Sequence, residues 1–196
     1  MPTKSSLALS GQAEADKLLA KEPLALLIGM VLDQQVPLEW AFLGPYTLTQ
    51  RLGQRLDAAT LAAMDAEELT QAFAQRPALH RYPASMAKRV MELCRVLVDQ
   101  YDGDAANVWR TAKTGAELRH RIEGLPGFGA QKSRIFVALL GKQLGVQPAG
   151  WTEAAGEFGE PGTYRSVADI VDPESLGRVR AYKQEKKAAA KAATKG

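Results

Sequence analysis

The run Leu24 to Leu32, LALLIGMVL, carries no charged or hydrogen-bonding side chain. It falls well short of the roughly 20 apolar residues needed to cross a bilayer. A helix that is apolar on every side belongs at the centre of a bundle, so other helices must wrap it. Pro23 suits its first turn. Pro37 keeps Val36 out of helical geometry, so the run ends near DQQVP.

The remaining signals are helical too. Gln12 to Lys21 reads as a short amphipathic helix, and Leu38 to Leu52 as one interrupted around Gly44-Pro45. Asp57 and Asp65 look like N-caps, with Asp65 and Glu68 at capping-box spacing. From Ser85 to Tyr101, Ala87, Val90, Met91, Cys94, Leu97, Val98 and Tyr101 recur on one helical face, and Asp102-Gly103 breaks it. Beyond Gly145 the stretch VQPAGWTEAAGEFGEPGTY is expected to be loop with one helical turn, and YRSVADIV a short extended piece. Asp172-Pro173 opens a last helix that runs into an alanine–lysine tail expected to fray. No strand pattern is sustained and no repeat is visible, so the fold class is all-α.

Between two of these helices lies LPGFGAQKS, Leu125 to Ser133. Thr114 and Glu117 open the helix before it, and Gly124 and Pro126 close that helix. Ile135, Phe136, Leu139, Leu140 and Leu144 set the period of the helix after it. The first amides of that second helix lack intrahelical partners and carry partial positive charge. Gly127 and Gly129 clear side chains from their approach, so the turn can hold a phosphate oxygen on backbone N–H groups. Lys132, on the first turn, is a candidate charge contact. The plainer reading is a tight corner between helices with no ligand, with Phe128 plugging the core.

With these blocks in place, the chain resembles the helix-hairpin-helix (HhH-GPD) base-excision DNA glycosylases, relatives of endonuclease III. LLIGMVLDQQV is similar to the family's buried helix and following loop, SMAKRVMELCRVLVDQYDGD to the helix before the hairpin, and LPGFGAQKS to the hairpin itself. The blocks keep family order across Leu24 to Leu144. The resemblance implies a two-lobed helical fold. Residues 22–135 would form a six-helix domain ending in the hairpin, residues 1–21 with 136–182 a second lobe, and residues 183–196 a basic tail. DNA would lie across the cleft mouth with the target base flipped inward. Gln35, with Gln34 beside it, would fill the gap in the stack, while Leu125, Gly127, Gly129 and Lys132 would belong to the DNA-binding hairpin.

Two family features are missing. Strand-cleaving members keep a lysine two residues past the second hairpin glycine. This chain has Gln131 there, and a neutral amide forms no imine. Lys132 is one step further, about 100° around the helix. The family's aspartate roughly five turns beyond the hairpin has no counterpart in GVQPAGW. Glu153 and Asp169 are the candidate replacements, each with a plain reading as a solvated loop acid. Asp172 is better read as a helix cap.

Composition narrows the partners. The single cysteine, Cys94, excludes an internal disulfide and a four-cysteine iron–sulfur cluster, and it reads as a buried hydrophobe. His80 and His120 lack partners at metal-ligand spacing, so no metal or cofactor is expected beyond the monovalent cation that the family's hairpin can hold. The net charge is +3, but residues 178–196 alone carry +6, leaving the body at −3. Any grip on a polyanion must therefore be local, with the tail adding salt-sensitive affinity. The N-terminal stretch lacks the apolar core of a signal peptide. The expected protein is a cytoplasmic, nucleoid-associated monomer that binds double-stranded DNA and no membrane. The leading reading is a monofunctional glycosylase without lyase activity. The alternatives are a DNA-binding relative that has lost the chemistry and a helical protein with no nucleic-acid role.

Overall fold

The computed structural model describes residues 5–193. Residues 1–4 and 194–196, which include the start of the N-terminal stretch and the end of the tail weighed above, lie outside it. The fold is all-α: among the described residues there is no strand, only an isolated bridge between Thr114 and Ala149. No described helix is long and apolar enough to cross a membrane.

Helix α2 (Pro23–Leu32) occupies the centre, as its sequence requires: every residue from Leu24 to Leu32 is buried. Each large side chain among them contributes about 1.5–3 kcal/mol of hydrophobic free energy. Around it stand α1 (Ala13–Lys21), α3 (Leu38–Leu52) and α6 (Pro83–Tyr101). Helix α6 is flanked in turn by α4 (Ala58–Ala63) and α5 (Ala66–Ala74). The short α7 (Asn107–Arg110) leads into α8 (Gly115–Glu123), which packs with α9 (Ala130–Leu144) and α10 (Trp151–Ala155). Two 3-10 turns, Gly156–Phe158 and Val167–Asp169, lie against α9. The last helix, α11 (Pro173–Ala193), packs on the second turn. One continuous apolar core joins these elements.

Most caps fall where the sequence puts them. Asp57 accepts from the Thr60 amide, Asp65 from those of Glu67 and Glu68, and Thr114 from that of Glu117. Asp172 caps α11 through Ser175. Cys94 is fully buried, and burial pushes its thiol up to about 12. Phe128 is buried beside Phe136, their ring centroids 5.7 Å apart.

Two local expectations are corrected. Gly44-Pro45 does not interrupt α3, which runs unbroken through Pro45. A Cβ at Gly44 would sit 2.5 Å from Leu32 Cδ1, so that glycine serves close packing of α3 on α2. The YRSVADIV segment is not extended. Ser166 and Asp169 form a reciprocal capping box around the 3-10 turn, and local side-chain bonds of this kind compete with extended structure.

Candidate nucleic-acid interface

The hairpin turn runs from Leu125 to Gly129 between α8 and α9. Leu125 is buried, so its side chain anchors the turn in the core, and only its backbone is left for a contact with DNA. Gly127 has φ +90°, and a Cβ there would meet Arg89 Cδ at 3.0 Å and Val31 Cγ2 at 3.2 Å. Both backbone and packing therefore demand glycine at 127. Gly129 differs. Its φ is −87°, and a Cβ would meet nothing within 4 Å. It is the exposed N-cap of α9, and no side chain caps that helix. The amides of Ala130, Gln131 and Lys132 thus open onto solvent at the positive end of a 15-residue helix.

Gln131 and Lys132 point different ways. Gln131 is exposed. The Lys132 ammonium turns inward and donates to the carbonyl oxygens of Met30 at 2.6 Å and Val31 at 3.5 Å. It therefore caps the C-terminal end of α2 and is not free to meet a phosphate, contrary to the role expected for it. Burial lowers its pKa to about 8, with Arg89 adding to the shift and Asp33 opposing it.

Immediately past that capped end lies Asp33-Gln34-Gln35. Gln35 is exposed, its φ is +57°, and its side chain bonds to nothing among the described residues. A left-handed backbone is uncommon outside glycine and marks a segment held by its surroundings. The holders are visible. The Gln34 amide nitrogen donates to Met86 Sδ at 3.3 Å. The buried His80 bonds the Gln34 carbonyl through Nε2 at 2.9 Å, while its Nδ1 accepts from the Tyr82 amide at 3.0 Å. An Nδ1 that accepts fixes Nε2–H as the donor. Gln34 is thus a clamp for the loop, and Gln35 is its free tip.

Asp33 is half-buried. Its carboxyl is raised above the ordinary range by burial, against which the Lys183 and Lys132 ammoniums pull. Lys183 belongs to α11, so that helix passes over the face carrying the loop. Neighbouring pairs hold it there: Arg180 with Glu39 at the start of α3, and Lys186 with Glu157 at 3.5 Å.

The two acids expected to assist hydrolysis lie elsewhere. Asp169 is saturated: Oδ1 takes the Lys142 ammonium at 2.6 Å, and Oδ2 accepts from the amides of Arg165 and Ser166. Its side chain is only 4% exposed, and its role is structural. Glu153 is exposed, and hydrogen bonds from its own backbone N–H and from Thr152 hold its carboxyl below the ordinary range. It borders a cavity of about 500 Å³ with Thr114, Arg119 and His120. A second cavity of about 600 Å³ lies beside Trp151, Tyr164 and Asp169. Neither includes Asp33, Gln35 or a hairpin residue. Trp151 packs against α9, its ring filling the space a Cβ at Gly141 would need.

Several functional candidates escaped the sequence reading. Arg89, half-buried on α6, lies beside Gly127 and has no ion-pair partner among the described residues. Tyr82 is 45% exposed and is tied through its amide to the histidine that holds Gln34. Lys132 as a helix cap, His80 as a loop clamp and α11 as a cover depend on contacts distant in sequence, and no local pattern encodes them.

No protein-family model matches the chain, and no curated protein matches it. Among solved structures it is similar to a trapped covalent intermediate of endonuclease III with DNA, an estranged-adenine complex, with 21% sequence identity and a TM-score of 0.44. The match covers 64% of this chain and 55% of that one, so the chain spans little over half that structure's length. The class that fold and site define is an all-α protein with a solvent-open turn between two helices beside a strained glutamine loop.

Proposed function

We propose that the protein is a DNA glycosylase-like base-excision protein that holds duplex DNA and hydrolyses the N-glycosidic bond of a damaged or mismatched base without cutting the strand. The observation that carries this reading is Gln35. Holding a non-glycine residue in the left-handed region costs about 1–3 kcal/mol, and here it presents a free amide at a tip. A rigid polar tip of this kind suits the gap that a flipped nucleotide leaves in a base stack. The hairpin supports the reading from the adjacent position, since Gly127 packs on Val31 and Lys132 bonds Met30, both just before the loop. The open end of α9 would take a backbone phosphate, with Arg89 alongside. Strand cleavage through an imine is disfavoured because Gln131 has no amine and the Lys132 ammonium is engaged with carbonyls.

The test is a panel of duplexes containing uracil, hypoxanthine, 8-oxoguanine or N-alkylated adenine, treated with alkali after incubation to reveal abasic sites. Base release from at least one, with no strand break before alkali, is the expected result. Tight duplex binding without release on any lesion would leave the DNA-binding alternative. Absence of binding would defeat both.

A further inference from the structure

Hydrolysis of an N-glycosidic bond draws on a carboxylate close to the sugar as positive charge grows there, and Glu153 and Asp169 are both held elsewhere. Asp33 stands two residues before Gln35, at the residue that ends α2, with its amide bonded to Gly29 O at 3.0 Å. It differs from the other acids that are at least partly withdrawn from solvent. Asp16, Glu22, Glu39, Asp104, Glu117 and Asp169 each hold a hydrogen bond or an ion pair. The Asp33 carboxylate makes neither among the described residues. Half-buried and without a protein partner, this carboxylate keeps its oxygens open to water beside the tip at Gln35. The charged groups facing it are Lys132 from α9 and Lys183 from α11, and Arg89 of α6 acts on Lys132. These cations oppose its protonation without occupying it.

We propose that Asp33 is the carboxylate that activates water in this hydrolysis, an assignment that rests on the glycosylase reading above. A water bonds through its oxygen to C1′ of the flipped nucleotide while its proton passes to Asp33. The C1′–N bond breaks with its electron pair leaving on the base, which takes up a proton. Asp33 returns its proton to solvent, so one water is consumed and a free base and an abasic sugar are formed.

Asp33→Asn keeps the shape and removes the base. On the lesion duplex that the wild type processes, single-turnover base release is expected to fall on the order of 100-fold or more, with duplex affinity equal or higher. The wild-type rate is expected to lose activity on the acid side with a midpoint above the ordinary carboxylate range, and the residual rate of the variant to lack that limb. Asp33→Glu, which retains the carboxylate, is expected to keep part of the rate and the limb. Release by Asp33→Asn at the wild-type rate would overturn the assignment, as would parallel loss of binding and release. Should the asparagine variant not fold, a wild-type profile flat on the acid side overturns it independently. Wild-type protein that binds every duplex and releases no base instead defeats the glycosylase reading, and this assignment with it.

Discussion

The Lys132 ammonium lies 2.6 Å from the carbonyl oxygen of Met30, so the helix after the hairpin caps the helix that ends in the glutamine loop. One side chain thereby ties the start of α9 to the helix that leads into Gln35.

That contact has a signature in pH. Lys132 titrates at about 8 in the fold against the ordinary 10.5. Below about 8 it is protonated folded or unfolded, and its burial cost is felt in full. Between the two values the unfolded chain binds more protons, so this group adds stability as pH rises. Lys132→Met has nothing to titrate. The wild-type stability minus that of the variant should increase by about 1–3 kcal/mol from pH 7.5 to 10.5 in urea melts, after allowance for the exposed part of the side chain. A constant difference would refute the account.

The two hairpin glycines should respond differently. Gly127→Ala forces a methyl against Val31 and Arg89 in a left-handed backbone, and should cost about 1–3 kcal/mol. Gly129→Asp enters open space and supplies the side-chain cap that α9 lacks, so stability should hold or rise by a few tenths of a kcal/mol. The same carboxylate occupies the amides proposed above to take a phosphate, and on that reading duplex affinity should fall about tenfold or more. A variant with unchanged affinity would remove the hairpin from the interface.

Gln35→Gly relieves the backbone and deletes the tip. Stability should rise by about 0.5–1 kcal/mol, while base release on the lesion panel falls further than duplex affinity. A variant that keeps wild-type release would show that the amide plays no part in holding the gap.

Gln131→Lys tests the rotation between neighbouring residues. The wild type, with its Lys132 turned inward, should give no borohydride-trapped adduct on a duplex with a preformed abasic site. An amine placed at the exposed position 131 should give one. Trapping of the wild type would show that Lys132, made more nucleophilic by its lowered pKa, swings out to react.

What the sequence disclosed followed the range of the interactions. The burial of Leu24 to Leu32 and the caps at Asp57, Asp65 and Thr114 are local or periodic, and each is readable from a few neighbouring residues. The turn between residues 125 and 129 could be placed for the same reason. The inward turn of Lys132 was not legible: helical geometry separated it from Gln131, but the carbonyls it meets belong to another part of the chain. In sequence Asp33 reads equally as an aid to Gln35 or as the residue that ends a helix, because nothing beside it shows which acids are bonded and which are left over. Asp169 failed as a site residue for the converse reason, since its partner Lys142 lies far enough away that the pair has no sequence signature.

The cover laid by α11 also sets an order of events. Asp33 receives its positive surroundings from Lys132 and from Lys183, which emerge much later from a ribosome than the loop they serve. A nascent chain that has already closed its hairpin still lacks the Lys183 contribution. The charge environment of Asp33 is therefore complete only when the last helix docks.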